Sequence, residues 1–361
     1  MGIYIVLLIV VGLCTLLFTN PYTGYLYRNN KTGVRIFFFI VFVMILIQGF
    51  RTNLVGGDLI NYGYRFSEFG NMNWQSILDY NAKYELGYII LNKIIYVLSG
   101  GNFQVLLFVI AIFYNISLAV FLEKNSSNYF FSLYLYIALN IFNLSMNNLR
   151  STVALGILYI GLPYLFKRKY VKFLIALVIA CLFHTSMICM LFFLGMVFIT
   201  NKYLFASICV IFSGFLSIGF STFSRIIQYV FPKYDSYFMV DNSGGGRNLL
   251  LFLIFLLLVL FFISKKEWWE SDSNVVLLKM FICGICLQVV SLNVSFFARA
   301  VYYHLTSILI LYPELISNGR ISRRSSSTFM FLIMVCFMAY YIVALQGNST
   351  MTVPYEWIFN S

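Results

Sequence analysis

The chain of 361 residues is 61% hydrophobic and 10% charged, with a formal net charge of +12. That composition excludes a soluble enzyme, because apolar runs long enough to cross roughly 30 Å of hydrocarbon recur from one end to the other. The basic excess does not indicate nucleic acid: much of it sits in short loops, where cytoplasmic orientation and lipid headgroups account for it, and no basic stripe suits a phosphate backbone.

The first run, residues 3–19, has no basic segment before it and no small-residue cleavage site after it, so it reads as a retained helix and not a signal peptide. Further runs follow at 35–50, 103–122, 129–146, 151–166, 173–199, 203–220, 248–264, 275–293, 300–316 and 328–346, with a weaker one at 84–99. They predict an all-α, polytopic integral membrane helical bundle of about ten to twelve transmembrane helices, with one external re-entrant or interfacial segment. Residues 1–361 read as a single transmembrane domain.

Basic clusters fix the orientation. Arg28, Lys31 and Arg35 in the loop 20–35, Lys167, Arg168, Lys169 and Lys172 in 167–172, Lys265 and Lys266 in 264–274, and Arg320, Arg323 and Arg324 in 317–327 belong on the cytoplasmic side. All four loops share a side only if the run from Tyr84 to Ser99 stays out of the bilayer and the run from Phe173 to Thr200 enters and leaves on one side. The first carries Lys93 at its centre, as an interfacial helix does. The second is split by His184, Thr185 and Ser186, which suits a helical hairpin. Both termini, the loops 51–102 and 221–247, the turn at 147–150, Arg299 and the hairpin tip then face outside.

Seven cysteines all fall in apolar runs, and Cys283 with Cys286 forms a lone CxxC. Without a second pair or a nearby His they read as small buried hydrophobes, and no metal or cofactor is expected. The chemistry is sought instead in ionisable residues at the borders of apolar runs, where desolvation is costly. In the first external loop Arg51 precedes a Gly56–Gly57 turn, with Asp58 and Tyr62 a helical turn apart. Asp58 and Glu85 also suit helix caps. Arg150 follows Asn147 at the start of a helix, where backbone N–H groups and a guanidinium together bind phosphate, and headgroup snorkelling is the competing reading. Arg299 has Tyr302 and Tyr303 on its helical face. His304 reads as a packing residue, whereas His184, beside Thr185 and Ser186, suits a general base, its ordinary pKa lying near working pH.

In this order the residues resemble the EpsG family of bacterial exopolysaccharide proteins, polymerases of the Wzy type. Its Arg, Gly-Asp and Tyr appear as Arg51, Gly57, Asp58 and Tyr62; its Glu-x-Gly as Glu85 and Gly87; its Asn-x-x-Arg-x-x-x-Ala as Asn147, Arg150 and Ala154; its His-x-Ser as His184 and Ser186. Lys233, Tyr234 and Tyr237 match its Lys-Tyr-x-x-Tyr, Arg299, Tyr303 and Pro313 its late Arg-to-Pro helix, and Pro354 and Tyr355 its C-terminal Pro-Tyr. Ser151 stands where a Gln commonly follows the Arg.

The resemblance implies a metal-independent glycosyltransferase of the bacterial cytoplasmic (inner) membrane, serving capsule, exopolysaccharide or O-antigen synthesis. A growing chain on undecaprenyl diphosphate passes to a hydroxyl of the next lipid-linked oligosaccharide repeat unit at the external leaflet. His184, Asp58 and Glu85 are the candidate catalytic groups, with His184 first. Arg51, Arg150, Arg299, Tyr62, Asn147, Tyr234 and Tyr237 are the candidate substrate ligands. Partners are the lipid-linked oligosaccharide, membrane lipid, and the chain-length regulator and flippase of the same pathway. Two other classes fit a charged membrane cavity: a flippase for such lipids, which calls for polar residues on both sides and an internal repeat, and an O-acyltransferase using a membrane-depth His. The one-sided ionisable set, without a repeat of its segments, favours the polymerase.

Overall fold

Helices account for nearly all the regular structure in the computed structural model, which describes residues 1–27, 31–78, 84–218, 225, 229, 246–293, 296–318 and 325–360. In chain order they are α1 (Gly2–Phe18), α2 (Lys31–Gly49), α3 (Leu59–Asn71), α4 (Trp74–Leu78), α5 (Leu86–Ser99), α6 (Phe103–Asn125), α7 (Tyr129–Ala138), α8 (Ile141–Asn147), α9 (Leu149–Phe166), α10 (Tyr170–Cys181), α11 (Ile188–Val197) and α12 (Lys202–Ile218). Then come α13 (Arg247–Ile263), α14 (Asp272–Ser291), α15 (Phe296–Leu305), α16 (Ile308–Asn318) and α17 (Ser326–Gly347). Among the described residues only two isolated bridges are extended pairings, Thr19 with Leu26 and Arg51 with Trp357.

The chain is a multi-pass helical membrane protein. Among the described residues five helices, α2, α6, α9, α14 and α17, are long and apolar enough to cross a membrane unaided. The other predicted runs are shorter or broken, and each break has a local cause. The run 129–146 bends by 59° between α7 and α8, at Asn140, whose φ of 62° is one that Asn tolerates better than most residues. The run 300–316 divides at Thr306 and Ser307, where Ser307 Oγ donates to the His304 carbonyl at 2.7 Å.

The run 173–199 folds back on itself. Rings of Tyr170 and Phe198 lie 4.9 Å apart, so the start of α10 meets the end of α11 and His184 stands at the tip. Lys279 of α14 secures the far end of this hairpin, its Nζ donating to the carbonyls of Val197 at 2.9 Å and Ile199 at 2.7 Å. A lysine in an apolar helix thus meets the last carbonyl of α11 and one just beyond it, neither with a helical partner.

Two ends of the bundle are defined by contacts distant in sequence. At one, Asn128 Nδ2 donates to Thr19 Oγ1 at 2.7 Å, Asn318 Nδ2 to the Tyr25 hydroxyl at 2.7 Å, and Arg168 pairs with Asp272 at 2.6 Å. At the other, Tyr4 OH donates to the Thr352 carbonyl at 2.8 Å and Thr52 N–H to the Glu356 carbonyl at 3.1 Å. Helix α5 begins and ends at this second end. Lys93 Nζ reaches the Gly70 carbonyl of α3 at 2.6 Å, Gly100 turns the chain at φ 64°, and Gln104 at the start of α6 donates to the Arg51 carbonyl at 3.2 Å. Arg28, Lys83, Arg320, Arg323, Arg324 and most of the loop 221–247 lie outside the described residues.

Candidate active site

Helix α5, the α8–α9 junction, the hairpin tip and α15 bring the predicted charges together at the second end. Glu85 occupies the N-cap position of α5 but its side chain makes no capping bond. Its Oε2 accepts from Arg150 Nη1 at 2.9 Å. Its Oε1 accepts from both the N–H and the hydroxyl of Thr185, each at 3.0 Å. The side chains of this pair are 9% and 6% exposed for Arg150 and Glu85, so removing either leaves an uncompensated buried charge at a cost of about 3–5 kcal/mol.

Gly87 makes that approach feasible. Its N–H donates to the Leu182 carbonyl at 2.9 Å, and a Cβ at this position would lie 2.7 Å from the same oxygen. Glu-x-Gly is thus one device: the glycine admits the hairpin tip and the glutamate holds it.

His184 Nδ1 lies 3.5 Å from Glu85 Oε1, an ion-pair distance without hydrogen-bond geometry. The ring is 5% exposed, and neither of its nitrogens has a hydrogen-bond partner among the described residues. Burial pushes the imidazole below its ordinary pKa, against the raising effect of Glu85 and with the help of Arg299 and Arg150. Burial alone would raise Glu85, yet His184, the Arg150 charge and the Thr185 N–H together hold its carboxyl well below the usual range. At neutral pH the site therefore presents a neutral imidazole against an ionised carboxylate.

Tyr62 links this group to a second one. Its buried hydroxyl accepts from Arg150 Nε at 3.5 Å. Burial raises its pKa while the charges of Arg150 and Arg299 oppose the rise. Asp58 also sits at a helix N-cap without a side-chain capping bond; its Oδ2 lies 3.7 Å from Arg299 Nη2, the side chains being 40% and 25% exposed respectively. Asn147 Oδ1 accepts from the Asp58 N–H at 2.8 Å. Arg299 lines a narrow crevice with Ser145, Ser151, Thr152, Tyr302 and Tyr303. The Tyr303 hydroxyl is 2.9 Å from Ser186 Oγ, which fastens the serine of His-x-Ser to α15.

The structure brings Asp58, Tyr62, Glu85, Asn147, Arg150, His184 and Arg299 to one end, in two linked groups. Arg51 is placed differently. It is 2% exposed and donates to the carbonyls of Gln48 and Met146, the latter at 2.9 Å, so it braces the end of α2 against α8 beneath the site. His304 is a packing residue, its Nδ1 2.9 Å from the Ala300 carbonyl. Tyr234 and Tyr237 lie outside the described residues. Among the described residues no three of His, Cys, Asp and Glu form a metal-binding group.

Two contributors escaped the sequence reading. Thr185 supplies two donors to Glu85, and Tyr84 places its ring under the Arg150 guanidinium, 4.6 Å from CZ to ring centroid. Their adjacency to His184 and Glu85 was the available signal. A sequence model of the EpsG family matches residues 34–357. No curated protein and no solved structure matches the chain.

Proposed function

Because the chain belongs to the EpsG family, a family of Wzy-like polymerases, we propose that it joins undecaprenyl-diphosphate-linked oligosaccharide repeat units by glycosyl transfer at the external leaflet. The observation that carries this reading is a buried His–carboxylate pair, His184 with Glu85, set among arginines at one end of a membrane bundle. The basic loop at 167–172 lies at the opposite end with Asp272, which under the positive-inside rule supports a site on the extracytoplasmic side of the cytoplasmic membrane.

In this reaction the acceptor hydroxyl of one lipid-linked unit attacks the anomeric carbon of the growing chain. The new C–O bond forms as the bond to the carrier diphosphate breaks, and the electron pair leaves on undecaprenyl diphosphate. His184 takes the hydroxyl proton on Nε2. Glu85 Oε1, 3.5 Å from Nδ1, supplies the charge that steadies the imidazolium. Arg150 and Thr185 hold Glu85 ionised and in place, so Glu85 is a positioning carboxylate. Arg299, the more accessible arginine, meets the charge that develops on the diphosphate, with Asp58 and Asn147 orienting it and Tyr62 joining it to Arg150. Arg51 supports this assembly through backbone carbonyls. The family motif adds Tyr234 and Tyr237 as sugar contacts, and Tyr302 and Tyr303 extend that surface beside Arg299.

Purified protein given only lipid-linked repeat units should yield a ladder of polymer, with no nucleotide sugar and with a metal chelator present. Movement of the substrate across liposomes with no change in its length would replace this reading with the flippase.

A further inference from the structure

Beside the charged groups lies a second cavity, of about 280 Å³, between α11, α12, α14 and α15. Cys189, Phe192, Ile208, Phe212, Leu287 and Phe297 are among its walls, which are almost wholly apolar. Apolar cavities of even half that size stay dry and take up hydrocarbon. Ile188, Phe192 and Phe212 of this lining are also exposed on the bundle surface, so the cavity opens sideways toward lipid.

Two elements run from the charged site into this cavity within a few residues. On the hairpin, His184 faces Glu85, Ser186 meets Tyr303, and Ile188 and Cys189 already line the apolar wall. On α15, Arg299, Tyr302 and Tyr303 line the narrow crevice, of mixed polar and apolar walls, at i, i+3 and i+4, while Phe297 and His304, at i and i+7, line the apolar cavity. Helix α15 thus has a face carrying Arg299 and an apolar face that diverge around one axis. A ligand that uses both carries an anionic head at Arg299 and a long apolar chain that turns into the membrane.

We infer that this cavity seats the head-proximal stretch of the polyisoprenyl chain of the carrier lipid. The inference rests on the polymerase reading, which supplies a diphosphate headgroup for Arg299. A bilayer phospholipid can lie along any exposed apolar face of the bundle, such as that of Val6, Leu13 and Leu17 on α1. This recess is set apart by the arginine on the same helix. Chain and head are then gripped on either side of α15, so the anomeric carbon is held near His184 while the sugars stay in water.

The test uses the full-length protein in phospholipid nanodiscs and a polyprenyl phosphate bearing a diazirine in its second isoprene unit. Adducts are expected on the peptides carrying Ile188 to Met196 and Ile208 to Phe212, about tenfold denser than on α1 or α17. Excess undecaprenyl phosphate should suppress them and phosphatidylglycerol should not. Even labelling of all exposed apolar faces, or equal competition by phosphatidylglycerol, overturns the inference. Cys209→Phe, which fills the cavity, should cut labelling there about tenfold, and the unsubstituted protein gives the answer even if that variant does not fold. Polymer formation measured on the same sample separates the two claims. Polymer without labelling of the cavity defeats this inference alone; labelling without polymer supports the lipid site and defeats the polymerase reading.

Discussion

Gly87 and Leu182 meet backbone to backbone: the Gly87 N–H donates to the Leu182 carbonyl at 2.9 Å, leaving no room for a Cβ. This contact seats the hairpin tip against α5 and sets the distance between Glu85 and His184. Gly87→Ala should therefore lower polymer formation by about 10- to 100-fold, through misplacement of the His, and lower stability by about 1–3 kcal/mol through overpacking. No charged group is altered, so unchanged turnover in a purified, folded variant would mean that the tip need not dock for catalysis.

The His184–Glu85 pair predicts the pH dependence. A base must be neutral to accept a proton, and burial holds the folded imidazole below 6.5. The rate should be flat near neutrality and fall on the acid side with an apparent pKa under that value. Glu85 raises the imidazole pKa from its own side, so Glu85→Gln should move the acid limb to lower pH while lowering the plateau. A limb that stays put denies Glu85 any action on His184. His184→Ala should remove about 10²- to 10⁴-fold of the rate.

The same groups have a stability signature of defined sign. As pH falls through 6.5 the unfolded chain protonates its histidine while folded His184 resists, so that contribution is full above 6.5 and declines below it. Glu85, depressed in the folded state from 4.5, contributes above that value and loses its contribution as pH falls below it. Thermal unfolding in detergent should thus become easier in two steps on acidification. Glu85→Gln should erase the lower step, and its persistence in that variant would assign the step to other carboxylates.

Much of this architecture was legible in the sequence, and the remainder escaped for physical reasons. Basic loops required α5 to stay at one end and residues 173–199 to turn back, because each constraint follows from which side a lysine or arginine can occupy. The bracing contacts of Arg51 were not legible because its partners are the carbonyls of Gln48 and Met146, and main-chain acceptors leave no mark in a sequence. Asp58 and Glu85 fit helix capping equally well as letters, and only the arginines and Thr185 from distant segments show that their carboxylates turn elsewhere. Thr185 is 100 positions from Glu85, beyond any local pattern. Tyr234 and Tyr237 rest on resemblance alone and lie outside the described residues.

Arg51 and Arg299 should separate cleanly in experiment. Arg51→Ala removes two buried donors and leaves the Gln48 and Met146 carbonyls short of partners, at a cost of about 1–3 kcal/mol each if they stay unsatisfied. It should lower the unfolding temperature and the yield of folded protein. An Arg51 variant of full stability and abolished substrate binding would restore it to the list of anion ligands.

Orientation has an independent check. Asn53, near the site, and Lys169, in the basic loop at the other end, are both exposed. Single cysteines placed there should react differently with a membrane-impermeant thiol reagent on intact cells, position 53 labelling and position 169 only after permeabilisation. The reverse pattern would place the charged groups in the cytoplasm and remove the external-leaflet reaction.

Arg299 and Asp58 supply the sharpest test of how the diphosphate is held. Their 3.7 Å separation and partial exposure make a loose pair, worth at most about 1 kcal/mol to the fold. Through this pair alone, Arg299→Ala should cost the fold no more than about 1 kcal/mol. If the guanidinium stabilises charge that develops on the leaving diphosphate, the loss falls on kcat, by about 10²- to 10³-fold, and Arg299→Lys should recover part of it, since a lysine supplies charge without the planar fork. Asp58→Asn is informative because it acts in the opposite sense on the headgroup. Removing a carboxylate beside Arg299 should tighten binding of undecaprenyl diphosphate, the product of the proposed reaction, while slowing turnover through misorientation of Arg299. Product inhibition in the two variants should then shift in opposite directions. If both weaken product binding, Asp58 contacts the lipid-linked sugar itself and the assignment of its role to Arg299 fails.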